Sequence, residues 1–262
     1  MKFVGLGYQD EARWEAMSEG ERERLIKEVL PYDDALRQSG FFTEVGEALE
    51  PSKGAKTLRM KGGKVVVTDG PYAETKEQLG GFGVIEARDM DHAVEVMVKH
   101  PAMAVNPHEI RPMDEEMTER ATAGVVSTGA PSEGVKFVCL GYGDESKWNA
   151  LSKSEVEALI AECFSYDVEI RKYGQVLGGV ALQSAGTAKT VRSREGKVIV
   201  TDGPYAETKE LLGGVAINRF KNIDEAVKAW SKHPCLRVGD VLEIRQVSEF
   251  YARVAARESA TK

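Results

Sequence analysis

An α+β fold built twice, two ferredoxin-like βαββαβ repeats each with an added hairpin, is what this 262-residue sequence predicts. Three observations carry that expectation. Residues 67–77 and 200–210 both spell VTDGPYAETKE, letter for letter. The duplication extends outward from this run: Lys2-Phe3-Val4 matches Lys136-Phe137-Val138, Trp14 matches Trp148, Tyr32-Asp33 matches Tyr166-Asp167, His100-Pro101 matches His233-Pro234, and Glu109-Ile110-Arg111 matches Glu243-Ile244-Arg245. Within each copy, apolar runs and turn signals alternate in the order β-α-β-β-β-β-α-β. A period this long marks two domains, because solenoid repeats are much shorter.

Each copy opens with an apolar strand, Phe3 to Tyr8 and Phe137 to Tyr142. A polar loop with Asp10-Glu11 or Asp144-Glu145 leads to the tryptophan, which anchors it. Ser18 and Ser152 are N-cap residues of helices that run to Gly40 and Gly174, with glutamates in the first turn and glycine at C′. Pro31 is expected to kink the first helix or begin a new turn. An extended run follows, then a hairpin around Lys61-Gly62-Gly63 or Arg194-Glu195-Gly196. After the signature loop, Gly80-Gly81 and Gly213-Gly214 lead into another strand. Asp89 and Asn222 cap a second helix, which ends at the histidine before proline. A last strand, Glu109 to Met113 or Leu242 to Val247, closes the copy. Two helices cover one face of each antiparallel sheet, and the other face must also be buried. The second copy is its natural cover, so the sheets should pack face to face as a pseudo-two-fold pair. The boundaries read from the sequence are 1–113, a linker at 114–134, 135–248, and a tail at 249–262 that includes a short helix, Phe250 to Arg257.

Composition narrows the function classes. The net charge of −7 argues against a nucleic-acid footprint, and no apolar run approaches the length of a membrane span. The start lacks the pattern of a signal peptide, so the expected location is the cytoplasm. Cys139, Cys163 and Cys235 stand where the first copy has Gly5, Val29 and Ala102, which reads them as small core hydrophobes. No ligand spacing suggests a metal site, and no phosphate-loop or nucleotide fingerprint suggests a cofactor.

The long motif, the Leu-Gly-Gly after it, the His-Pro pair and the Glu-Ile-Arg strand make each copy resemble the YCII-related domain in its DGPF subfamily, with Tyr72 and Tyr205 where that signature has Phe. The resemblance covers both copies but not the linker or the tail. It implies a dimeric α/β-barrel, made here within one chain, and no established activity. Distant YciI-type relatives are thought to use a His/Asp pair in a cleft, and one is a cofactor-independent dehydrochlorinase. In them a histidine falls near the position of Tyr32-Asp33, and aspartate precedes the proline where this chain has His100. DGPF proteins also occur beside or fused to extracytoplasmic-function sigma factors, which implies such a factor as a partner. No sigma domain is present in this sequence.

Candidate site residues follow from the repeat. Asp69 and Asp202 either hold the Asp-Gly-Pro turn or orient a histidine. His100 and His233, the only recurring histidines, either cap a helix end or serve as general acid or base. The expected catalytic pairs are Asp69/His100 and Asp202/His233. Tyr32 and Tyr166 either line a pocket or half-bury on the helix. Arg37 and Arg171 bind an anionic ligand or pair with nearby aspartates, and Tyr72 and Tyr205 complete the ligand-binding set. The expected function is a cofactor-independent small-molecule enzyme of lyase or isomerase type, or a ligand binder. The alternative is a non-catalytic module working with a sigma factor. The molecule is expected to be a monomeric pseudo-dimer or a dimer of it.

Overall fold

In the computed structural model, residues 1–123, 133–194, 196–206 and 208–261 are described; most of the small-residue part of the expected linker, 124–132, and Glu207 of the second motif lie outside them. The first half runs β1 (Lys2–Asp10), α1 (Glu11–Ala16), α2 (Glu19–Gln38), β2 (Phe42–Ala48), β3 (Lys56–Lys61), β4 (Lys64–Asp69), β5 (Glu77–Glu86), α3 (Met90–Met97) and β6 (His108–Pro112). Helix α4 (Glu115–Thr122) follows. The second half repeats the order as β7 (Val135–Gly143), α5 (Glu145–Asn149), α6 (Lys153–Ile170), β8 (Gln175–Ala181), β9 (Lys189–Arg194), β10 (Lys197–Asp202), β11 (Leu211–Phe220), α7 (Ile223–Trp230) and β12 (Val241–Gln246). Helix α8 (Glu249–Thr261) ends the chain, longer than expected.

Local chemistry explains the helix ends. Ser18 and Ser152 each form a full capping box, with Glu21 and Glu155 returning the bond to the cap N–H. Gly40 takes φ +75° at C′ of α2, where the backbone turns left-handed and a side chain would strain it. Gly174 differs from the expectation, because α6 stops at Ile170. It is needed for closeness instead: a Cβ there would lie 2.3 Å from the Arg219 carbonyl oxygen. The expected polar loops are short helices capped by Asp10 and Asp144. Pro31 sits inside α2 without ending it.

The two sheets are related by the pseudo-two-fold, in the orders β10-β9-β6-β1-β5-β2 and β4-β3-β12-β7-β11-β8. They differ from the sequence reading in one respect. Each hairpin leaves its own half and completes the other's sheet: β3 pairs with β12 through Leu58 and Leu242, and β9 pairs with β6 through Val191 and His108. The C-terminal helices cross over as well, α8 packing on α2 and α4 on α6 and β8. Between the sheets lies one core drawn from both halves, including Val4, Leu6, Phe82, Val138, Leu140 and Val215. At roughly 25 cal/mol per Å² of apolar area, this shared face is the main force joining the halves. The result is a dimeric α/β-barrel within one chain.

The seam also carries buried charge. Arg111 is bound by its neighbour-but-one Glu109 and donates to the Leu212 carbonyl at 2.5 Å. Arg245 is bound by Glu243 and donates to the Leu79 carbonyl, also 2.5 Å. All four side chains are nearly fully buried, and they sit on inner strands, not on a charged edge. Each guanidinium reaches a carbonyl of the opposite half, which fixes the register of the seam.

Candidate functional site

Among the described residues, one cavity in each half sits between sheet and helices, and another lies on the seam.

In the first half, α2 places Asp33 and the turn after α3 places His100 against the sheet. The His100 Nε2 and Asp33 Oδ1 are 2.7 Å apart, and both residues are buried. His100 Nδ1 accepts from the Ala102 N–H at 3.2 Å, so the proton sits on Nε2 and points at the carboxylate. The other carboxylate oxygen, Oδ2, accepts from the Tyr251 hydroxyl at 2.5 Å. Burial, then the charge of Asp33, pushes that phenol well above its ordinary pKa. His108 stands behind, its ring 6.2 Å from that of His100, and its Nδ1 is 3.0 Å from the Asn106 carbonyl. Burial holds His108 down to about 4, so it is neutral at ordinary pH. These groups line a cavity of about 660 Å³, with Arg37 on its wall, 3.4 Å from Asp34.

The second half repeats the frame with other contents. His233 Nε2 is 3.4 Å from Asp167 Oδ1, a looser pair with a more exposed carboxylate. The position of Tyr251 on α8 corresponds to Met117 on α4, so no phenol completes the network. Cys235 replaces Ala102, its Sγ 2.9 Å from His233 Nδ1, and burial pushes its thiol well up. Asp240 accepts from Trp148 Nε1 at 2.9 Å, and burial raises its carboxyl to about 6. The cavity measures about 540 Å³ and its wall is largely apolar, including Ile170, Val176, Trp230 and Leu242.

The seam cavity, about 420 Å³, receives both signature loops. Tyr72 stacks on Tyr142 at 4.5 Å, and the Tyr205 ring lies tilted against Tyr8 at 4.4 Å. The backbone N–H groups of Tyr72 and Tyr205 donate to Glu243 and Glu109. Burial is the largest cause raising both phenols to about 12. The repeated motif thus serves the seam first: its tyrosines and the buried Glu-Arg pairs form one satisfied network.

Several sequence expectations are corrected by this geometry. Asp69 and Asp202 do not meet the histidines; they are exposed and paired with Lys56 and Lys189 across their own hairpins. A carboxylate at a strand end beside a lysine 13 residues away satisfies the hairpin locally, while the histidines find Asp33 and Asp167 on the helices. Tyr32 and Tyr166 do not line the cavities. Their hydroxyls donate to the Val96 and Ala229 carbonyls, and their rings back the histidines edge-on at 5.2 and 5.7 Å. Arg171 donates to the Ala123 carbonyl at 2.7 Å. The histidines cap the turn that follows them, not the helix before. The sequence reading missed Tyr251 and Asp240, which no repeat pattern marks, and it named Asp33 only as part of the repeated Tyr-Asp pair.

The model of the YCII-related domain matches residues 1–115 and again 135–251. The chain belongs to the YCII-related domain family. A single YCII-related copy is also similar to an uncharacterized protein of Rhizobium meliloti (strain 1021), 33% identical over 115 residues, covering 43% of this chain and 92% of that one. Among solved structures, a mutant chlorite dismutase from Candidatus Nitrospira defluvii aligns with TM-score 0.47 and 10% identity, covering 97% of this chain and 95% of that one. The imidazole complex of the same enzyme aligns with TM-score 0.46 and 11% identity, over 97% and 94%. These structural likenesses lend no chemistry to the two YCII-related clefts. No helix among the described residues is long and apolar enough to cross a membrane.

Proposed function

We propose that this YCII-related protein is a cofactor-independent small-molecule enzyme, and that its acid-base chemistry resides in the first-half cleft. One observation carries the reading: Asp33 is a buried carboxylate held between the His100 imidazole and the Tyr251 phenol on the wall of a cavity large enough for a metabolite. Three groups that share protons along one line can take a proton from a bound molecule and return it at a second atom, which is the need of a lyase or isomerase. The aspartate would accept the proton, and His100 and Tyr251 would orient it through the hydrogen bonds they donate to its two oxygens. The family resemblance supports this in an unexpected way. The positions that carry histidine on the helix and aspartate before the proline in distant relatives carry Asp33 and His100 here, so the pair is kept with its members exchanged.

The test is a metabolite thermal-shift screen on the intact chain, followed by solvent-deuterium uptake into each hit measured by NMR. The expected result is at least one compound that stabilises the protein and exchanges a carbon-bound proton. Asp33→Asn should keep the fold by circular dichroism and slow that exchange at least ~100-fold, the usual scale of a lost general base. Exchange that is as fast in Asp33→Asn as in the parent, or no stabilising compound in a broad screen, would overturn the reading.

A further inference from the structure

The second cleft lacks the phenol that completes the first, and it has a thiol instead. Cys235 follows the His-Pro pair, where the first half has Ala102. Its Sγ lies 2.9 Å from His233 Nδ1, and on the far side of the same ring Nε2 lies 3.4 Å from Asp167 Oδ1. All three residues line the cavity of about 540 Å³. The backbone N–H of Cys235 donates to Nδ1 at 3.4 Å, so Nδ1 carries a lone pair and the ring proton sits on Nε2, facing the carboxylate. That tautomer lets Nδ1 take the thiol proton while Asp167 stabilises the imidazolium that results. Trp230 and Tyr166 pack against the ring at centroid distances of 5.3 and 5.7 Å.

Packing alone does not call for sulfur at this position, since the first half fills it with a methyl group. Nor is the sulfur a standing thiolate: burial, then the charge of Asp240, pushes the thiol well up. The proton must therefore leave as a new bond to sulfur forms, and His233 Nδ1 is placed to receive it. We infer that Cys235 is the nucleophile of an acyl-transfer site in the second cleft, and that its substrates are neutral esters with a small apolar acyl group. Ile170, Val176, Trp230 and Leu242 form the wall that takes the acyl chain. Sγ bonds to the acyl carbon as its proton passes to Nδ1; the C–O bond then breaks, and the alcohol leaves with that proton. Water adds to the thioester and gives its proton to Nδ1, and the C–S bond breaks as that proton returns to Sγ. The balance is ester plus water to acid plus alcohol. This site is separate from the first cleft and does not rest on the acid-base reading given to it.

The experiment mixes the full chain with p-nitrophenyl butyrate, follows nitrophenolate release by stopped flow, and locates the butyryl adduct by peptide mass spectrometry. A burst of nitrophenolate is expected, with the adduct on Cys235. Cys235→Ala, the residue type of the first half, should keep the fold by circular dichroism and slow acylation at least ~100-fold, and His233→Asn should do the same. Asp167 positions the ring without touching the ester. Asp167→Asn should therefore slow acylation at least ~10-fold and leave the half-saturating ester concentration unchanged. Cys163→Ala should leave the burst as it is. Mono-p-nitrophenyl succinate, with an anionic acyl chain, should acylate at least ~10-fold more slowly, because the apolar wall leaves its charge unpaired. No burst in the parent would overturn the inference. So would an adduct that maps elsewhere, acylation undiminished in any of the Cys235, His233 or Asp167 variants, or equal rates for the two esters. The position of the adduct keeps this outcome distinct from that of the first cleft.

Discussion

The two clefts descend from one repeat and share a frame, yet they differ in what fills it. In the first, Asp33, His100 and Tyr251 form a tight buried network with a neutral His108 behind it. In the second, His233 and Asp167 stand further apart, Leu242 takes the place of His108, and Cys235, Asp240 and Asn218 bring new polarity to an otherwise apolar wall. The seam, by contrast, carries the same tyrosine pairs and Glu-Arg pairs on both sides. Identity is retained where the halves hold each other, and difference accumulates in the two clefts. The eleven identical letters of the motif mark an assembly device more than a catalytic one.

The sharpest way to break this comparison is at the seam. Arg111→Ala and Arg245→Ala each strand a buried glutamate, and each should cost about 3–5 kcal/mol in denaturant unfolding. The symmetry requires the two losses to agree closely; a large disparity would show that the seam is not equivalent on its two sides.

Next comes Asp240, found only in the second cleft. Its carboxyl titrates in the folded protein near 6, above the unfolded value, so its favourable contribution is complete below about pH 4 and is lost as pH rises through 6. Asp240→Asn keeps an acceptor for Trp148 and should stabilise the protein by roughly 2 kcal/mol at pH 7.5, with the gain vanishing by pH 4. Thermal melts across that range check it. Asn106 at the matching place gives the first cleft no such dependence.

The smallest effect sharpens the contrast in the first cleft. Tyr251→Phe removes one hydrogen bond to Asp33 and should cost about 1 kcal/mol, while Met117→Phe at the matching site should change stability by less. Equal losses would mean that the Asp33–Tyr251 bond adds nothing beyond packing.

Much of the fold was legible because its signals are local. Capping boxes at Ser18 and Ser152, caps at Asp89 and Asn222, and the glycine hairpins all act within a few residues. The need to bury a second sheet face predicted that the halves would meet. The hairpin exchange was not legible, since pairing of Leu58 with Leu242 joins strands far apart in sequence and leaves no periodic trace in either. The site was read in part. The recurrence of His100 and His233 singled them out, but their partners lie on α2 and α6, where an aspartate looks like any solvated helix residue. Asn218 did leave a mark, a polar residue where the other copy has Ile85 in a strand core.

The exchanged hairpins have a consequence for how such a molecule changes over generations. Were the halves separate chains, interlocking would pair like with like, and every substitution would arrive in duplicate, once on each side of the axis. Tied into one polypeptide, unlike partners are always delivered in equal number and always to each other. A risky difference such as a carboxamide against an isoleucine is then carried in a single wall while its twin stays apolar.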